Sequence, residues 1–173
     1  MAQFDAFLKL DGIPGESTDS KHKDEIDIES FSWGESLPVG SGGKAGKPSF
    51  QDFSFVTKVS QASPRLFLAC ASGQHIKYAL LTGRKEGGGS TEFYTIKMSD
   101  ILVSSYKESA QTGGTSPSPV AGGATLPPSV VGSAGLPLEQ ISLNFSKIEI
   151  DYFRQGAAAP VHAGWDVKSN TKV

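Results

Sequence analysis

The sequence predicts a mainly β fold, a β-barrel or sandwich with one short α-helix against it. Three observations carry that reading. Apolar residues alternate at period two in stretches such as "FDAFLKL" and "SFQDFSF". Gly- and Pro-rich segments such as "GIPGESTDS" and "RKEGGGST" punctuate these runs at short intervals. One stretch alone, "SPRLFLACASG", spaces its apolar residues for a helix.

The elements follow in order. Phe4, Ala6, Leu8 and Leu10 alternate with Asp5 and Lys9, which predicts a first strand. "DEIDIESFSWGE" predicts a second. Its apolar phase is even at Ile26 and Ile28 and odd at Phe31 and Trp33, which marks a bulge or a strand buried on both faces. The third strand, "SFQDFSFVTKV", puts Phe53, Phe55 and Val59 on one face. In the helix, Ser63 is the expected N-cap and Pro64 the first helical residue. Leu66, Phe67, Ala69 and Cys70 form its apolar stripe, and Gly73 closes it. Cys70 reads as a buried core thiol.

Strands resume at "HIKYALLTG", with Ile76, Tyr78 and Leu80 alternating, and "RKEGGGST" reads as a glycine turn. "EFYTIKMSDILVSSYKE" is long enough for one bent strand or two. "ISLNFSKIEIDYF" places Ile141, Leu143 and Phe145 on odd positions, then Ile148, Ile150 and Tyr152 on even ones. The flip at Ser146-Lys147 again marks a bulge. The tail "GWDVKSNTKV" sets Trp165 and Val167 on one face.

Residues 1–173 read as one domain, long enough to bury a substantial core. Residues 109–138 stand apart. They hold no charged or aromatic residue and five of the ten prolines. Such a composition buries too little side chain to offset its ordering entropy, so an exposed, mobile insertion is expected.

The net charge of -2 argues against general attraction to nucleic acid or anionic membrane. Phe50, Phe53, Phe55, Tyr78, Phe93, Tyr94 and Tyr106 could stack bases, but lysines do not cluster around them, and core is the simpler reading. The single cysteine, Cys70, forbids an intramolecular disulfide. "MAQFDAFLKLDG" has neither a basic start nor an apolar core, so no cleaved signal is expected. No apolar run reaches the ~20 residues of a membrane helix.

Catalytic and cofactor signals are poor. His22, His75 and His162 are scattered and lie in no metal-binding spacing, and no metal, cofactor or catalytic residue is expected. His22 sits in "DSKHKDE", which reads as a solvated run. "DEIDIE" sends Asp24, Ile26 and Ile28 to one side and Glu25, Asp27 and Glu29 to the other. Three like charges on one strand face are usually a wet face, or half of a charged contact with another copy.

"GSGGKAGKPS" imitates a phosphate-binding loop. Aligned on Gly46-Lys47, however, it has Ser41 for the first glycine and Pro48 for the metal-binding hydroxyl. An alternating strand follows, where a helix N-terminus would have to bind the phosphate. The loop is therefore expected to be an exposed connection between strands.

"FDAFLKLDGIPGESTD", "DEIDIESFSWG", the Gly/Lys loop running into "SFQDFSF", "SPRLFLACASGQHI", "ISLNFSKIEIDY" and "GWDVKSN", in that order, resemble the haemolysin-coregulated protein (Hcp) family of type VI secretion. The resemblance spans nearly the whole chain. It implies a β-barrel of two sheets with one short flanking α-helix. It further implies a structural subunit and not an enzyme: a homohexameric ring, stacked into an inner tube. A contractile sheath would eject that tube behind a VgrG-type spike, with effectors in its lumen. The protein would be made in the cytoplasm and secreted without a cleaved signal.

By the resemblance, the extended loop at 36–49 contacts the next ring. Gly40, Gly42, Gly43 and Gly46 would shape it, and Lys44 and Lys47 would meet carboxylates there. A cyclic ring needs two different complementary patches on each subunit. Asp27, Glu29, Phe31 and Trp33 are the expected residues of one. The 109–138 segment is longer than the turn expected there. The competing reading is a monomeric β-barrel module that binds a small ligand or glycan, with the insertion as a lid. A hydrolytic effector would need a nucleophile and a base that the sequence does not offer.

Overall fold

The computed structural model describes residues 4–85, 91–110 and 136–173. The glycines of the predicted 84–91 turn, and most of the predicted insertion, fall outside the described residues.

Among the described residues there are twelve strands and one helix. β1 (Phe4–Leu10) pairs antiparallel with β2 (Ile26–Ile28) on one side and β7 (Ile76–Lys85) on the other. β7 is followed outward by β8 (Thr91–Ser109), β10 (Lys147–Tyr152), β11 (Val161–Asp166) and β12 (Thr171–Lys172). A second layer runs β3 (Ser30–Ser32), β6 (Phe53–Lys58), β9 (Leu138–Asn144) and again β8. β8 belongs to both layers. Its first half pairs with β7 and β10, and its second half with β9.

The chain changes layer where the apolar phase changes in the sequence. β2 and β3 are one run broken at Glu29, and β9 and β10 are one run broken at Phe145-Ser146. At such a corner the inward-pointing side must switch parity, which is the pattern read as a bulge. In β8 the corner is Asp100, a non-glycine residue at φ 52, and a register shift follows between Val103 and Ser105.

The two layers wrap one core without a closed ring of strand ladders. Between β2 and β6 the link is made by single bonds: Thr57 Oγ1 donates to Asp27 O at 2.7 Å, and Glu29 N to Val56 O at 2.9 Å. Leu8, Phe53, Phe55, Leu81, Ile96, Met98, Ile141 and Leu143 are among the buried core residues. Thr57, rather than Val59, is the third buried residue of β6.

α1 (Ser63–Ser72) bridges one end of the core, and Gly73 ends it in the left-handed region at φ 65. Two helix expectations are corrected. The N-cap is Ala62, with no side-chain cap, so Ser63 is the first helical residue and Pro64 the second. Its hydroxyl instead accepts from Ser60 N at 2.9 Å. The buried stripe is Ser63, Leu66 and Ala69, whereas Phe67 is 59% exposed and Cys70 half-buried. The helix meets the core along a narrow line, so one flank of the predicted stripe stays outside. Phe67 packs edge-on to Tyr106 at 6.1 Å between centroids. In β7, Ala79, Leu81 and Gly83 are buried, while Tyr78 and Leu80 are half-buried. That strand lies between β1 and β8 and is covered on both faces.

Candidate functional site

Residues 35–50 form a hairpin arm. Its base is β4 (Glu35–Ser36) against β5 (Ser49–Phe50). Farther out, Gly46 N donates to Pro38 O at 2.8 Å, Val39 bridges Ala45, and Gly40 N donates to Lys44 O at 2.9 Å. The loop expected at 36–49 is thus a strand ladder with a tight tip. Gly42 and Gly43 make that tip at φ 80 and φ 76, a region that L side chains rarely enter. A side chain at Gly46 would bring a Cβ within 2.9 Å of Pro38 Cγ. Gly40, Lys44 and Lys47 are exposed, as is the rest of the arm from Glu35 to Lys47.

Between the arm and the β10–β11 hairpin lies an apolar groove of about 740 Å³. Trp33, Phe50, Ile150 and Trp165 form its floor and wall, and Leu37 and Pro48 of the arm overhang it. The register that sets Ile148 opposite Trp165 creates this wall. The Trp165 Nε1–H is buried and has no hydrogen-bond partner among the described residues.

The four expected contact residues do not share one face. Asp27 is exposed on β2. Glu29 is exposed at the corner and pairs with Lys58 at 3.1 Å. Phe31 turns inward and stacks on Phe53 at 5.6 Å between centroids. Trp33 and Gly46 both line the groove.

The predicted wet face of "DEIDIE" is corrected at Glu25, and the predicted solvated run at His22. His22 is buried, its ring flat on Phe7 at 4.3 Å, and its Nδ1–H donates to Glu25 at 3.0 Å. Beside it Arg84 donates to Asp19 at 2.6 Å and Asp5 at 3.1 Å. The Arg84 hydrogen bond holds the Asp19 carboxyl below its usual range. None of this was visible in local sequence, because Arg84 is distant along the chain and only the fold brings it to Asp5 and Asp19.

Elsewhere Asp100 accepts from Lys168, from Ser146 Oγ at 2.9 Å and from His75 at 2.9 Å. Lys168 first, then Ser146 and His75, holds its carboxyl far below the usual range. Tyr106 donates to the buried Glu139 at 2.5 Å. Burial first, and then Glu139, pushes its phenol upward. Among the described residues, no cluster of three His, Cys, Asp or Glu side chains could hold a metal ion. Nor is any helix long and apolar enough to cross a membrane.

Residues 7–152 match the family described as type VI secretion system effector, Hcp. The chain is also 35% identical to protein hcp1 of Pseudomonas aeruginosa, over 97% of its own length and 98% of that protein's. The chain belongs to the Hcp family of type VI secretion.

Solved structures agree with the membership. Hcp1 from Salmonella typhimurium is 32% identical, with a TM-score of 0.75 and full coverage of both chains. A type six secretion system protein gives a TM-score of 0.82 at 26% identity, covering 99% of this chain and 100% of its own. A type VI secretion system effector from Yersinia pestis gives 0.71 at 28% identity, covering 94% of this chain and 100% of its own. The chain is therefore a secreted, β-rich component of a type VI system.

Proposed function

We propose that this Hcp-family chain is a structural subunit of the inner tube. Six copies form a ring, and rings stack into the tube. A contractile sheath ejects it with a VgrG-type spike, and effectors ride in the lumen. The subunit assembles in the cytoplasm before the tube is ejected. No catalytic role is assigned to any residue.

The observation that carries this reading is the arm. A ladder-paired hairpin exposed from Glu35 to Lys47 adds little to its own core. It is an ordered projection, suited to contact another copy. A head-to-tail ring requires two unlike patches on each subunit, and the arm with its groove supplies one of them. Lys44 and Lys47 supply cations for carboxylates on the neighbouring ring.

Light scattering on a sizing column tests the ring. A mass near six subunits, with open annuli in micrographs, supports it, and a monomer at high concentration overturns it. A Lys44→Glu, Lys47→Glu double variant tests the charge contact. Stacking left intact in that variant removes the lysines from the reading.

The groove favours a second reading, a monomer that binds a small ligand. Its volume and its lining by Trp33 and Trp165 suit an apolar ligand. The same mass measurement separates the two.

A further inference from the structure

Residues 11–25 form a strap over the outer side of β1 and β7. Its two limbs are tied to each other: Gly15 N donates to Asp24 O at 2.8 Å, Ser17 N to Glu25 O at 3.0 Å, and Asp24 N to Ser17 O at 3.0 Å. One buried titratable side chain, His22, pins the strap to the barrel, and its exposure is 5%.

The groups facing His22 are few. From β1 come the Phe7 ring, stacked on His22, and Asp5, which binds the neighbouring Arg84. From β7 comes Arg84, which also lies over Phe7 at 4.9 Å and is held by Asp5 and Asp19. From β8 comes Glu92, whose Oε1 lies 3.4 Å from Nε2 without hydrogen-bond alignment. From the strap come Asp19, which accepts from His22 N at 3.3 Å, and Glu25, which faces Nδ1 at 3.0 Å. Each ring nitrogen therefore lies within 3.4 Å of a carboxylate oxygen, and only Nδ1 is aligned for a hydrogen bond.

A neutral imidazole carries one proton. If Nδ1 donates to Glu25, then Nε2 presents a lone pair to the Glu92 carboxylate, and the two repel. An imidazolium donates at both nitrogens and joins a strap carboxylate to a β8 carboxylate. We propose that His22 is a proton-operated fastener: protonation ties the 11–25 strap to β8 through Glu92, and deprotonation releases that tie. The strap then holds more tightly on the acid side of the His22 transition and more loosely on the alkaline side.

The test is hydrogen exchange of the purified full-length protein, read by mass spectrometry over peptides spanning Gly15 to Glu25, across pH and corrected for intrinsic rates. Exchange at the His22 ring carbon, in the same samples, reports when His22 loses its proton. Protection of the strap amides is expected to fall about threefold to fivefold as His22 deprotonates, the size of one partly exposed ion pair. Glu92→Gln keeps the side chain's shape on an exposed strand end and should abolish the step. His75 and His162 pair with carboxylates but are exposed, and they serve as internal controls for the ring readout. Flat strap protection through the His22 transition overturns the proposal. So does an unchanged step in Glu92→Gln.

Discussion

The Asp100 carboxylate lies 2.9 Å from Nδ1 of His75, at the corner where β8 leaves one sheet for the other. Ser146 and Lys168 bind the same carboxylate. One side chain thus gathers the start of β7, the β9–β10 turn and the β11–β12 turn. Asp tolerates the φ of 52 that the corner demands, since its short polar side chain makes the left-handed region less costly.

Asp100→Asn is expected to lower the thermal midpoint near neutral pH. The folded carboxyl is held below its ordinary value of 3.8, chiefly by Lys168. A depressed folded value contributes stability above the unfolded value, and that stability is lost as pH falls toward the folded one. The deficit of the variant should therefore shrink in melting curves taken below about pH 3. A deficit constant over the whole range would assign it to shape and not to charge.

Tyr106→Phe should cost about 1–3 kcal/mol in urea unfolding, because it strips the hydroxyl from a buried carboxylate. Glu139 Oε2 already lacks a partner among the described residues, so none of them compensates with a second bond. The raised phenol also sets a sign. Stability from the protonated Tyr106 is present below its unfolded value and is lost at more alkaline pH. An unchanged urea midpoint would show that Glu139 recruits another donor.

Two glycines give a paired prediction. A Cβ on Gly15 would sit 2.3 Å from the carbonyl oxygen of Glu25, which is backbone and cannot step aside. A Cβ on Gly83 would sit 2.5 Å from Phe4, an exposed ring that can swing away. Gly15→Ala should cost about 2–3 kcal/mol and Gly83→Ala less than about 1 kcal/mol. Denaturant midpoints in the reverse order would contradict this packing.

Gly42→Ala with Gly43→Ala strains the arm tip by about 1–2 kcal/mol per residue. That strain stays in a hairpin outside the core, so the melting temperature of the isolated subunit should hold. Self-association, measured by light scattering over a dilution series, should weaken. Unaltered assembly would mean that the arm acts without its tip geometry.

Strand periodicity was legible where a strand turns one face to the core. The alternation in β6 reflects that burial directly, whereas β1 also buries Phe7, from its other face, under the 11–25 strap. The helix was legible in extent and in its Gly73 stop, but its start was read one residue late and its buried flank was not legible. Helical spacing shows which residues share a face and leaves open how wide a stripe the partner covers. Phe67 is the cost of that ambiguity. The glycine loop was placed correctly between strands, yet its pairing as an arm depends on Pro38 and Gly46 meeting, which composition does not encode.

The sequence alone determined the β class, the helix at 63–72, the family and the positions where the chain turns a corner. Those follow from local periodicity, punctuation and ordered motifs. Only the tertiary structure decided that His22 and Glu25 are inside, that Asp100 gathers three turns and that Trp33 and Trp165 share a groove. Each of those depends on partners from strands far apart along the chain. Burial and pairing across such distances are set by sheet register, and register is a property of the assembled fold.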